Sequence, residues 1–297
     1  MNLETIAKKY FEKSSEIEIT QMIVKGASKE EFDELRRQED IAKNSPELKF
    51  LPSALYVTTY RKLVNGQLMP YGSSQHNVED LKLNILLRKN KQFCWLLAET
   101  YEAFEDFLEE VYAYLGFTNN ETWPMSDFGE ITLLELPSKD FEWYQSRVEH
   151  KKNKPSSILT RLRLLYPELS KIEAKNALGI NAKIYLTLIE KLRHIIVHNH
   201  GIVTDKTRFI EKVMKDSALF NNGKYDVAHK EFIESHFGTG KYENLILLLE
   251  IKINSDAPIN SYHDVFNELS GFLLAYAAYI YEIIKNHEIA QNQQLTK

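Results

Sequence analysis

The sequence predicts a mainly α-helical protein, a helical bundle with an N-terminal helical extension and one short β-hairpin. Three observations carry this. Glycine (11) and proline (8) are scarce in 297 residues, and few chain breakers favour long helices over many turn-linked strands. Residues 78–115 place Leu83, Leu86, Leu87, Trp95, Leu96, Tyr101, Phe104, Leu108, Val111, Tyr112 and Leu115 mostly at three- and four-residue steps, the period of an amphipathic helix. Residues 261–286 are apolar nearly all round from Phe272 to Tyr281, as expected of a helix central to a bundle.

The elements follow in order. Leu3, Ile6, Ala7, Tyr10 and Phe11 predict a helix over 2–13, and Ser28-Lys29-Glu30-Glu31 reads as a capping box opening a separate charged helix to about residue 44. An alternating run over 55–64, then Asn65-Gly66, then Gln67-Leu68-Met69 predicts a hairpin, because both turn residues tolerate positive φ. Pro70-Tyr71-Gly72-Ser73-Ser74 reads as a linker. This divides the chain into an N-terminal region (1–75), a helical bundle (76–290) and a frayed tail (291–297). Gly116 is the expected end of the long helix, and 118–137 is expected to be irregular. Asp140 or Ser138 caps a helix to Val148, and Pro155 and Pro167 open helices over 156–165 and 168–178. Asn181 caps a helix carrying Ile184, Leu188, Leu192, Ile195 and Ile196 that stops near Gly201. Residues 202–241 read as polar, with a short helix over 229–236. Residues 245–253 form a dense apolar run, strand or buried helix.

Hydrophobic residues (43%) and charged residues (27%) lie in the ordinary globular range, so a buried core is expected. The single cysteine, Cys94, among Phe93, Trp95 and Leu96, excludes an intramolecular disulfide and reads as a small buried hydrophobe. No apolar run suits a bilayer and no secretory signal opens the chain, so a cytoplasmic protein without a membrane partner is expected. A net charge of −5 argues mildly against a general nucleic-acid binder, although basic groups can be concentrated locally.

One segment stands apart. Glu190-Lys191-Leu192-Arg193-His194-Ile195-Ile196-Val197-His198-Asn199-His200-Gly201 places three of the nine histidines within seven positions at a helix end. An imidazole exchanges protons at neutral pH and a guanidinium matches phosphate oxygens. Together they suffice to cleave RNA without metal, through a 2′,3′-cyclic phosphate and a 5′-hydroxyl, sparing DNA. At about 100° per residue Arg193 and His198 lie roughly 140° apart on a regular helix. Reorientation of the last turn at Gly201, or a second copy of the helix end, would bring them together. Two other readings stay open. Cations collect at helix C-termini through the macrodipole, and Glu190, His194 and His198 at i, i+4, i+8 line one stripe as metal ligands do. Against the metal, Ile195 stands where the usual helical zinc signature has glutamate.

Arg193-His194-x-x-x-His198, with its Asn199-His200-Gly201 continuation, resembles the motif of the HEPN superfamily. The stretch Leu97-Ala98-Glu99-Thr100-Tyr101-Glu102-Ala103-Phe104-Glu105-Asp106-Phe107-Leu108 resembles the first core helix of such domains. The resemblance covers about residues 78–287. It implies an up-and-down helical bundle, usually a homodimer in which two motifs share a cleft. It implies metal-independent endoribonuclease activity, without cofactor, in toxin–antitoxin and phage-defence settings, with an antitoxin or defence-system protein as partner. Other members are inactive modules that bind RNA or protein. Carried over, Arg193 and His198 are catalytic, His194 fills the polar position, Asn199 orients the histidine, and Glu99 or Glu102 supplies an acid from the first helix. Lys151, Lys152, Lys154, Arg161 and Arg163, with Arg147 before them, form a basic stretch placed to contact RNA phosphates; an ordinary solvated face is the plain alternative.

Overall fold

The computed structural model describes residues 2–48, 50–132, 134–220, 226–253 and 261–295. The described residues are mainly helical: α1 (Leu3–Asn44), α2 (Val78–Thr118), α3 (Met125–Phe128), α4 (Phe141–Glu149), α5 (Ser156–Leu165), α6 (Pro167–Ala174), α7 (Ala182–Asn199), α8 (Lys206–Asp216), α9 (Val227–Glu234) and α10 (Val265–Leu295). Two antiparallel pairs complete them: β1 (Ala54–Arg61) with β2 (Leu68–His76), and β3 (Glu250–Lys252) with β4 (Tyr262–Asp264). No helix among the described residues is long and apolar enough to cross a membrane.

The chain forms two compact units. They do not divide at residue 75. Residues 1–18 belong with 94–297, and residues 19–93 form the other unit. The reason lies in α1, whose first turns bury Leu3, Ile6, Ala7 and Tyr10.

In the larger unit the core joins the start of α1, the second half of α2, α7 and α10. Leu97, Phe104, Leu108 and Val111 of α2, Leu188 and Leu192 of α7, and Leu269, Leu273 and Ala277 of α10 are sealed from solvent. Tyr10 meets Phe107 at 5.0 Å between ring centroids, and Tyr185 meets Phe272 at 5.0 Å. Each large side chain so buried stabilises by about 1.5–3 kcal/mol.

The smaller unit holds the rest of α1, the hairpin and the start of α2. Lys82 reaches Glu39 at 3.0 Å, and Arg88 pairs with Glu31. The hairpin is exposed on both faces, Leu55, Val57 and Tyr71 included.

Several elements differ from expectation. No capping box operates at Ser28: α1 runs unbroken through Gly26 and Ser28, since one interior glycine costs only about 1 kcal/mol. The hairpin turn is not a two-residue Asn-Gly turn. Lys62 N–H donates to the Gln67 carbonyl at 3.0 Å and Gly66 N–H to the Lys62 carbonyl at 2.8 Å. Gly66 (φ +68°) alone in that loop is left-handed, so the loop is longer and residues 70–74 lie within β2 rather than in a linker. Gly116 does not end α2. It lies inside the helix against Trp123, where a Cβ would come within 2.4 Å of the indole. Residues 206–216, read as polar, form α8, whose one apolar face buries Phe209, Ile210, Val213 and Met214. Of the apolar run 245–253 only Glu250–Lys252 is strand, and α6 ends at Ala174, well before Gly179. Helix α10 continues to Leu295, past the expected fraying point.

Candidate functional site

Helix α7 is placed by its own sequence. The Asn181 side chain accepts from the amides of Lys183 and Ile184, offsetting orphan N–H groups of the first turn. Ile184, Leu188, Leu192 and Ile196 form the buried stripe, which leaves Arg193, His194 and His198 off the core. At the far end His200 turns left-handed (φ 53°) and its amide returns to the Ile195 carbonyl. Gly201 (φ 77°) is buried, and its carbonyl accepts the Ile246 amide at 2.8 Å. The Val203 amide donates to the Asn244 carbonyl at 2.9 Å. The end of the helix is thus fixed to residues 244–246.

Arg193 faces α2. Its Nη2 donates to Glu102 Oε1 at 3.0 Å, and its Nε is buried with no acceptor among the described residues. Glu105, one turn further along α2, is half-buried. Burial pushes its carboxyl up to about 7; Arg193 opposes this, and Glu109, Glu102 and Glu190 add to it. The Tyr101 phenol is pushed well up by burial, and by the charges of Glu105 and Glu190. Arg193 is therefore the cation of an acid-rich cluster in which one carboxyl is poised near neutrality, a state suited to proton exchange.

His194 and His198 lie on the outer side, exposed, with ring centroids 4.6 Å apart. Desolvation, then His198 and the cations Lys212, Lys191 and Arg193, hold the His194 imidazole below its usual range. The last turn does not reorient toward Arg193: α7 is helical through Asn199. Arg193 and His198 consequently leave the axis about 140° apart, and within one chain the structure does not bring them together. Asn199 is exposed, and its side chain has no hydrogen-bond partner among the described residues.

Of the two candidate acids, Glu102 meets Arg193, whereas Glu99 turns to Lys13 at 2.6 Å. Glu105 was missed. Its signal was the 102–105–109 spacing, which puts three carboxylates on one face of α2. Four of the five basic residues read as phosphate contacts are engaged by the protein itself. Lys151 pairs with Asp127 at 2.6 Å and Lys154 with Glu109 at 2.7 Å. Arg161 donates to the Thr122 carbonyl at 2.6 Å, and Arg163 pairs at 2.8 Å with the buried Glu173. Lys152 is exposed with no side-chain partner among the described residues. The Glu190–His194–His198 stripe does not assemble as a metal site. Glu190 pairs with Lys191 at 2.7 Å, and no group of three His, Cys, Asp or Glu side chains among the described residues is placed to hold a metal ion.

No family model matches the chain, and neither a curated protein nor a solved structure matches it. The HEPN resemblance rests on the motif residues of α7 and the acidic face of α2.

Proposed function

We propose that the chain is a metal-independent endoribonuclease of the HEPN type, acting as a homodimer in which Arg193 of one copy and His198 of the other share one scissile phosphodiester. The observation that carries this reading is a buried-edge arginine among carboxylates on one side of α7 and two adjacent, exposed histidines on the other. Each half of an acid–base phosphodiesterase is then present in one protomer, and a two-fold axis beside the helix end would complete two sites.

The 2′-oxygen bonds to phosphorus as its proton passes to a base, and the P–O5′ bond breaks as the leaving oxygen takes a proton. His198 is assigned one of these transfers. Arg193 exchanges Glu102 for phosphoryl oxygens and stabilises their growing charge. The supporting assay is incubation with total RNA in EDTA. Cutting that leaves 2′,3′-cyclic phosphate ends, and that vanishes in Arg193→Ala and in His198→Ala, is expected. Cutting that EDTA abolishes would refute it. A role as toxin or defence effector, held by an antitoxin-like partner, belongs to the same proposal; toxicity on expression that His198→Ala relieves is its readout.

One observation favours a second reading, a catalytically silent module that binds RNA or protein: the Arg193 guanidinium is already occupied by Glu102. Binding of RNA without cutting is the outcome it expects.

A further inference from the structure

A second concavity, of about 290 Å³, opens between α3 and α4 and is lined by Tyr112, Asp127, Arg147, His150, Lys151 and Lys152 among others. Its floor is electrically settled. Asp127 Oδ2 accepts from the Tyr112 hydroxyl at 2.6 Å and from Lys151 Nζ at 2.6 Å, and Lys151 lies 5.2 Å from the centre of the Tyr112 ring. Among the described residues the one carboxylate lining the cavity is thereby matched by a cation.

Its rim is not settled. Arg147 Nε donates to the Asp127 main-chain carbonyl at 3.2 Å, and no carboxylate lies within ion-pair distance of its guanidinium among the described residues. The head group is held against Gly129, where a Cβ would come within 2.6 Å of Nη2. Gly129 is also left-handed (φ +73°), so two independent demands keep a side chain out of the shelf on which the guanidinium rests. His150 Nδ1 lies 2.7 Å from the Ser146 carbonyl. A carbonyl only accepts, so Nδ1 carries the hydrogen and Nε2 is left as an acceptor, open to a hydroxyl of the ligand's attached group rather than to its phosphate oxygens. Lys152 adds a cation with no partner among the described residues.

We propose that this cavity binds a small phosphomonoester. Two uncompensated cations, one a fixed planar fork, match a group that carries about −1.5 to −2 charge at pH 7. The volume, at the lower edge of the roughly 300–1,000 Å³ of small-molecule sites, holds a phosphate and a small attached group. That volume is too small for several linked nucleotides, which favours a small ligand over a polynucleotide. This site is independent of the reaction proposed for α7.

Titration calorimetry of the full chain tests it, with inorganic phosphate, adenosine 5′-monophosphate, adenosine, and a hexaribonucleotide with and without a 5′-phosphate. The nucleotide is expected to bind and adenosine not to. Arg147→Gln and Lys152→Gln are each expected to weaken nucleotide binding by about tenfold or more, and Lys183→Gln to leave it unchanged. The Lys152 side chain has no partner among the described residues, so its variant reads binding even if Arg147→Gln perturbs α4. Equal binding of adenosine, unchanged affinity in Lys152→Gln, or no binding of phosphate or nucleotide at millimolar concentration overturns the proposal. A phosphorylated hexamer that binds more than tenfold tighter than the mononucleotide overturns the small-ligand assignment in favour of an RNA end.

Discussion

Mixing two dead variants tests the composite site directly. On a regular helix the five-residue step from Arg193 to His198 gives about 140° of rotation and about 7.5 Å of rise; with side-chain heads roughly 5–6 Å from the axis, the two groups stand on the order of 13 Å apart. One phosphodiester cannot touch both from a single copy. In a two-fold dimer, Arg193 of each copy serves the site that uses the other copy's His198. Arg193→Ala and His198→Ala homodimers then have no complete site. The mixed dimer has one site with both groups lost and one with both intact. Random exchange makes about half of all dimers mixed, each with one working site of two, so about one quarter of wild-type activity returns on mixing. The assay is cleavage of a fluorescently end-labelled RNA in EDTA after the variants are unfolded and refolded together, with each variant alone as baseline. If wild type cuts and the mixture stays at baseline while mixed dimers are demonstrably present, the two groups act within one chain and the shared-site reasoning is wrong.

Other expectations follow from single contacts. Glu105 is raised to about 7 by burial, so between about 4.5 and 7 the folded state binds more protons than the unfolded, and its contribution to stability is lost as pH rises through that window. Glu105→Gln should therefore gain roughly 1–2 kcal/mol relative to wild type at pH 8, after discounting for solvent screening, and little at pH 5; urea unfolding at both pH values reads this, and an equal effect at both would contradict it. Gly116→Ala drives a methyl into the Trp123 indole and should cost about 1–3 kcal/mol, seen as a lower urea midpoint with unchanged slope. Arg163→Met strands the fully buried Glu173 carboxylate, leaving the Tyr276 hydroxyl as its side-chain partner, and should cost about 3–5 kcal/mol. An unfolding midpoint within error of wild type would show that Glu173 finds other compensation.

What the sequence determined by itself is local. Asn181 before α7, and Asp140 with Ser138 as the alternative before α4, announced those helices, because a cap acts within three residues of itself; Pro155 announced α5 because its fixed φ suits a first helical turn. The helical period over 78–115 and the apolar density of 261–286 identified α2 and α10 because burial of a stripe is written in the order of residues. Arg193 and His198 were legible as a pair of chemical types and as directions about 140° apart. Local signals also misled. Ser28 looked like a helix start but sits inside a longer helix, and the charged surface of α8 hid its buried face. The partners were decided by tertiary structure alone. Glu102 rather than Glu99 meets Arg193 across a separation of 91 residues, Arg163 pairs with Glu173 instead of facing solvent, and Glu105 gains its proton affinity from burial among carboxylates. Such choices depend on which helices lie side by side, and the free energy that sets a carboxylate's charge depends on solvent exclusion by residues distant in the chain.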